Sequence, residues 1–592
     1  MLIRRYILSK NLNVALVLLI ANVSSGQTFT AVTTGEIVTD AVMSWGCAWG
    51  DFDDDGYLDL FVGNAGVNAL YRGNGDSTFV KITAEPFATD NGSCRGGGWG
   101  DYDNDGYLDL FVPNNGGTNF LYHNDGPDSG FTFTKITGDP MVNEATDHRG
   151  SSWADYDNDG SIDMFIARNG NDHLFHNNGN GTFTRIDTGS VATDGRFSIG
   201  PTWCDYDNDG DIDLHVANMN AQGNLLYVNE GSGLFTRVTT GPVVTDLGNS
   251  ASGSWGDFDN DSDFDLFVAN APGTNFFYIN NGPDSGYTFT KVTTGPIATD
   301  GGTSYGSTWA DFDNDGDLDL FVANNTNPNF YYRNDGPPDY GFTKLATINL
   351  ATDPGVSWGS CVGDIESDGD LDVFIANSAR NSLYLNDGNG NNWTNIKCKG
   401  TTSNRSAIGA RVSVKAVIDG LPRWQVRDVV GQTTYYSQSS LNVSFGLGNA
   451  AVIDSVVIQW PSGMIDEYAG VEVNHYATAI EGGGITVGVL ADSPELPRSL
   501  HLLHNYPNPF NPSTIIGFDL STTSGVTLTV FDIQGRRIRD LIVNQEFPSG
   551  KHEIRFEGGG LASGTYLYRI TTNPPARSPH DWTTTRKMTL IK

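Results

Sequence analysis

The chain has 592 residues, a formal net charge of −36, 38% hydrophobic residues and 72 glycines. That length implies several domains, and the glycine content suits short strands and tight turns better than long helices. With no basic stripe to neutralise phosphate, the acidity excludes nucleic acid as a partner.

Residues 1–26 read as a secretory signal peptide. Arg4, Arg5 and Lys10 precede the apolar run Val14–Ile20, and Ser24-Ser25-Gly26 places cleavage before Gln27. No later segment is long and apolar enough to form a membrane-spanning helix, so an exported chain without a transmembrane segment is expected. The five cysteines are too few and too irregular for a disulfide framework. Cys47 and Cys361 stand four and three residues ahead of their loops, which predicts opposite orientations and no bridge.

Over residues 27–390 one nine-residue acidic loop recurs seven times at intervals of about 50 residues, the signature of a stacked or radial array. It holds nearly half of the 70 Asp and Glu residues. Carboxylates at its first, third, fifth and ninth positions can converge if the chain turns sharply at the sixth, usually Gly. All-oxygen ligands of this kind fit a hard cation, so up to seven Ca2+ ions are expected. The candidate ligands are Asp51, Asp53, Asp55 and Asp59; Asp101, Asp103, Asp105 and Asp109; Asp155, Asp157, Asp159 and Asp163; and Asp205, Asp207, Asp209 and Asp213. They continue with Asp257, Asp259, Asp261 and Asp265; Asp311, Asp313, Asp315 and Asp319; and Asp364, Glu366, Asp368 and Asp372. Ser262 replaces the turn Gly in the fifth loop and Glu366 the third-position Asp in the seventh, so these two are expected to bind most weakly.

Each loop lies between two predicted strands. A Gly/Ser-rich strand with Trp two residues before the loop (Trp49, Trp99, Trp153, Trp203, Trp255, Trp309) precedes it, and an apolar strand follows. A third strand carries an aromatic pair or Leu-Tyr, and a fourth begins Phe-Thr. Four such strands make an antiparallel blade, and the Trp residues fill the wedge between blades. Phe29–Val32 supplies the fourth strand that the seventh unit lacks, predicting a closed seven-bladed β-propeller without free edges. The fold class is therefore all-β.

The loop D-x-[DN]-x-D-G-x-x-D, preceded by W-[GA]-D, resembles the FG-GAP/VCBS repeats of integrin-type propellers. An EF-hand is excluded because Val62 and Val112 stand where it needs Glu, and strands flank the loop. Residues 391–481, with Asn404–Ala416, Gln425–Gly431, Phe445–Gly448 and Val456–Gly463, resemble the ASPIC/UnbV module, and the order matches the cartilage acidic protein family. A linker over 482–500 precedes residues 501–592, a β-sandwich pattern. Its Asn505–Pro512 opening and Gly564-Thr565-Tyr566 strand resemble the type IX secretion sorting domain. These resemblances imply a secreted or outer-membrane-surface protein that engages the type IX machinery and binds calcium. They imply a role in adhesion, matrix, or glycan or protein binding, and no catalytic residues.

No nucleophile elbow, zinc-protease motif or phosphate loop is present. His173 and His176 would face opposite sides of one strand and so form no metal clip. A polysaccharide-acting enzyme with its site over the channel stands as the alternative. Asn64, Asn114, Asn218, Asn270, Asn324 and Asn377, with Arg168 in the same register, fall thirteen residues after each first loop Asp. They either end strands or form a polar ring that meets a ligand.

Overall fold

The computed structural model describes residues 27–326, 328–488, 501–502, 510–520, 524–534, 536–548, 550–573 and 582–591. The expected signal peptide and Asn505–Pro509 lie outside them. The described chain is all-β, its helices single short turns. Residues up to Val487 form one compact unit and those from Gly488 a second.

Within the first unit the repeats build four-stranded antiparallel arrangements of one design. In the fifth repeat the strands are Ser250–Gly256, Asp265–Asn270, Phe276–Asn280 and Phe289–Lys291, paired in that order. The acidic loop joins the first two. Leu266, Phe267, Val268 and Ala269 are all buried, so both faces of the second strand are covered. That explains its unbroken apolar run, where a half-exposed strand would alternate. In the seventh repeat the fourth position is taken by Phe29–Ala31, which pairs antiparallel with Ser382–Asn386.

Side chains tie each repeat to the one before. Trp99, Trp153 and Trp309 donate Nε1–H to the carbonyls of Ala48, Gly98 and Ser254, on the preceding inner strand, at 3.1–3.2 Å. The third-strand tyrosines Tyr122, Tyr278 and Tyr332 donate to Asp90, Asp246 and Asp300 of the preceding Thr-Asp turn. Lys135, Lys291 and Lys344 complete these contacts at 2.6–2.8 Å. The recurrent Thr-Asp is thus a docking point as well as a turn.

Residues 392–488 form two further four-stranded sheets. One pairs Asn392–Lys399 with His475–Ile480 in parallel and ends on Gly484–Gly488, within the stretch expected to be linker. The other contains Arg411–Ile418, Leu421–Asp428, Ile453–Gln459 and Ile465–Val471. This module packs with the repeats as one body, sharing a core in which Ile408, Val412 and Phe445 join Trp153 and Phe175.

Its segment 430–442 touches the inner strand of every repeat. Gln438 exchanges backbone bonds with Cys47 and Trp49, and its side chain bonds both N–H and C=O of Trp99, at 2.7–3.1 Å. Gly431 lies against Trp153, where a Cβ would come within 2.5 Å of the Trp153 carbonyl. Gln432 donates to Pro201 O, Thr434 contacts Ser252 and accepts from Ser307 N–H, and Ser439 accepts from Val362 N–H.

The second unit is two sheets over one core. Ser513–Leu520 and Gly550–Glu557 lie in one, and Ser524–Asp532, Arg537–Phe547, Gly564–Asn573 and Trp582–Leu590 in the other. Phe518, Val530, Phe556, Tyr568 and Met588 are buried within it.

Candidate metal centres

The loops share one set of internal bonds. The first Asp accepts from the fifth backbone N–H in all seven and from the sixth in the second to seventh, as Asp101 does from Asp105 (3.0 Å) and Gly106 (2.7 Å). The fifth Asp accepts from the seventh N–H, as in Tyr107 to Asp105 at 2.9 Å. The ninth Asp accepts from the third strand, Asn124 N–H to Asp109 at 2.8 Å. Asp103 accepts one long bond, from Asp105 N–H at 3.3 Å, and the third Asp otherwise has fewer donors. Its Oδ1 is buried without a partner in Asp53, Asp157, Asp207, Asp259 and Asp313, as is Oδ2 of Asp265. Carboxylate oxygens converge within 4.8 Å in Asp51/Asp53/Asp59, Asp101/Asp103/Asp105 and Asp155/Asp157/Asp163. Buried carboxylate oxygens that lack a donor fit a cation, because an unpaired buried charge is costly.

The turn geometry is as the repeat requires. The sixth residue has positive φ in all seven loops, from 74° at Ser262 to 102° at Gly106. Ser262 thus adopts a backbone that disfavours a side chain. The fourth residue is also left-handed, φ 49–60°, which explains the frequent Asn there.

Charge crowding leaves its mark on the carboxyls. Burial first, then neighbouring carboxylates, pushes Asp101 up to about 8 and Asp155 to about 7. Burial also lifts Asp257 to about 8 against the opposing pull of Arg427, and Asp364 to about 7 against its hydrogen bond with Tyr476. Asp213, Asp265 and Asp372 rise well above the usual carboxylate range, again mainly through burial.

The module covers the loop ends. Lys397 lies 3.4 Å from Asp51, Ser406 accepts from Asp101 N–H at 2.9 Å, and Thr402 packs on Gly160. Arg411 donates to the Asp205 carbonyl at 2.6 Å and stacks 4.8 Å above Phe264. Arg423 pairs with Asp317 at 3.0 Å. Tyr476 donates to Asp364 at 2.5 Å, and the same Oδ2 accepts from Gly369 and Asn395. The seventh loop's first carboxylate is therefore already crowded with donors.

Family comparison agrees with this repeat design. A model described as FG-GAP-like repeat matches residues 51–112, 101–166, 155–216, 205–268, 257–322 and 311–375, more than half of the chain. The chain belongs to the FG-GAP repeat family. In this FG-GAP protein, residues 400–486 match ASPIC and UnbV, and 504–577 match a secretion-system C-terminal sorting domain. That domain marks it for type IX export to the cell surface or medium. Cartilage acidic protein 1 of Xenopus tropicalis is 25% identical over 260 residues, 41% of this chain and 38% of that protein. The human protein is 25% identical over 257 residues, 40% and 37%. The chain thus spans well under half of these relatives' length. Among solved structures it is similar to an Agrocybe aegerita lectin that recognises non-reducing terminal N-acetylglucosamine (18% identity, 53% of this chain and 81% of that one, TM-score 0.38). It is also similar to the extracellular domain of BT4673 from B. thetaiotaomicron (9% identity, 95% and 99%, TM-score 0.39). Likeness this distant bears on no functional conclusion.

Several FG-GAP features escaped sequence reading. The fourth-position Asn of one loop holds the next: Asn158, Asn208, Asn260 and Asn314 donate to Asp211, Asp263, Asp317 and Asp370 at 2.7–2.9 Å. The Asn ending the third strand (Asn124, Asn177, Asn229, Asn280, Asn334, Asn386) donates to the second-position carbonyl of the preceding loop at 2.7–2.9 Å. Its recurrence was the available signal. His123 and His176 approach Asp109 and Asp163 at 3.2 and 3.3 Å, and the carboxylates hold both imidazoles up at about 9, chiefly by hydrogen bonding. His173 instead turns to Arg168 in the buried interior.

Two further expectations concern the Asn register and the Cys47–Cys361 pair. Asn64, Asn114, Asn218, Asn270, Asn324 and Asn377 are buried, and five of them donate to a backbone carbonyl of their own turn, as Asn64 does to Val67 O. Asn218, Asn270, Asn324 and Asn377 end strands, and the six buried amides form no ligand-facing ring. Cys47 and Cys361 are neighbouring free thiols in one core cluster. Packed sheets meet through opposite faces, so opposite orientation brings these residues together.

Proposed function

We propose that this is a secreted or surface-attached, non-catalytic binding protein whose seven repeats form a closed propeller rigidified by up to seven calcium ions. The buried, donorless third-position oxygens carry the reading: five loops each hold one where an oxygen-seeking cation would satisfy it. Asp51, Asp53, Asp55 and Asp59 and their counterparts would hold each ion, which would supply charge neutralisation and rigidity. Closure is supported by the pairing of Phe29–Ala31 with the seventh repeat and by the reach of segment 430–442.

A polysaccharide-acting enzyme over the channel fits less well, since that segment occupies the space between the inner strands. The role proposed for it is in adhesion, matrix, or glycan or protein binding. Calcium titration by calorimetry, with metal content by elemental analysis, tests the reading. A stoichiometry near zero at millimolar calcium, the extracellular range for such sites, would refute it.

A further inference from the structure

At the end of each inner strand away from the acidic loop, the repeats stop being alike. Seven residues before the loop stands Ser in five repeats, and five residues before it Gly in six. Between them the chain reads Trp45, Arg95, Arg149, Ile199, Ala251, Tyr305 and Trp358. In six repeats the strand register shifts at this residue. Such bulges re-aim a side chain and recur beside functional sites. The scaffold therefore presents one variable position from seven equivalent places to the same central region.

The large residues there cluster. Trp358 lies 4.5 Å from both Trp45 and Tyr305, and Tyr435, from segment 430–442, lies 5.0 Å from Tyr305. Trp45, Tyr305 and Trp358 are half-buried, on the side away from the loops. The Arg95 guanidinium stacks 3.9 Å above Trp45 and makes no ion pair or side-chain hydrogen bond among the described residues. Arg149 differs, pairing with Asp147 at 2.9 Å and stacking 4.2 Å from Phe197. Arg95 Nε and Trp45 Nε1 are buried with no partner. In a chain of charge −36, a guanidinium without an acidic partner beside aromatic rings is a local site for an anion with a flat apolar face.

We propose that this region binds a carboxylated saccharide, its sugar ring stacked on the Trp45–Trp358–Tyr305 row and its carboxylate on the free donors of Arg95. A guanidinium matches a carboxylate bidentately, and the aromatic row gives a pyranose C–H face broad contact. The proposal rests on the reading of the chain as an extracellular binding protein, and places the ligand on the side opposite the metal loops.

Calorimetry on the full chain with calcium present, using oligoglucuronate and the uncharged oligoglucose of equal length, tests it. The expected result is that oligoglucuronate binds about tenfold or more tightly than oligoglucose. Arg95→Ala and the milder Arg95→Gln should erase that difference, and Trp358→Ala should abolish binding, with circular dichroism and calcium stoichiometry unchanged. Equal binding of the two sugars, no binding of oligoglucuronate, or equally tight binding of polyglutamate would overturn it. Should a variant fail to fold, the two-sugar contrast on the unaltered chain still decides. Calcium stoichiometry on the same samples separates the two readings, because sugar binding by a protein that takes up no calcium refutes the metal centres alone.

Discussion

The two ends of the inner strand obey different rules. At the loop end the same residues recur from Asp51 to Asp372, with nearly the same bonds each time. At the other end Trp, Arg, Ile, Ala and Tyr alternate on a constant Ser/Gly frame. Uniformity marks a task that every repeat performs for itself, which is to fix a turn and gather carboxylates. Variation marks a surface built once from seven unequal contributions. A repeat protein can thus separate stability from recognition along one strand.

Chelation should separate the ends most strongly. Each site contributes about 1.4 kcal/mol when free calcium is ten times Kd, so the filled set rivals the whole stability of an ordinary domain. A large fall in melting temperature with chelator is expected by calorimetry; an unchanged melt would end the comparison.

The metal-free protein should also respond to pH in an unusual direction. Asp101, Asp155, Asp257 and Asp364 have folded-state values of about 7–8, far above an unfolded carboxyl near 4. Between those values the folded chain holds more protons than the unfolded one, so stability falls as pH rises. Chelated protein should melt higher at pH 5 than at pH 8, and the benefit of added calcium should grow with pH. Thermal melts across that range in chelator decide it, and a chelated protein that gains stability toward pH 8 contradicts the assignment.

Gln438 sits between the two ends, and Gln438→Ala leaves the Trp99 N–H and C=O unpaired in the interior. A loss of about 3 kcal/mol by denaturant titration is expected, with calcium stoichiometry retained. The smallest effect is at the fifth loop. Ser262→Gly relieves a positive φ of 74° and should stabilise by about 0.5–1 kcal/mol, and it should fill that loop earlier in a calcium titration. No change in either would show that the serine is accommodated without strain.

The repeat, its strands, the carboxylate set and the turn at the sixth position can all be read along the chain. Each of these is a local pattern of period, residue type and backbone preference. The long-range partners lay beyond it. Cys47 meets Cys361 because packed sheets present opposite faces, a relation that a single strand's alternation does not contain. Asn64 and its counterparts look alike in sequence whether they face solvent or their own turn; burial decided for the turn. That residues 430–442 would reach all seven inner strands, and that Lys397, Arg411, Arg423 and Tyr476 would sit against acidic loops up to 346 residues away, was decided only by tertiary packing. Contacts across such distances depend on where the chain has already been placed, and no local pattern encodes them.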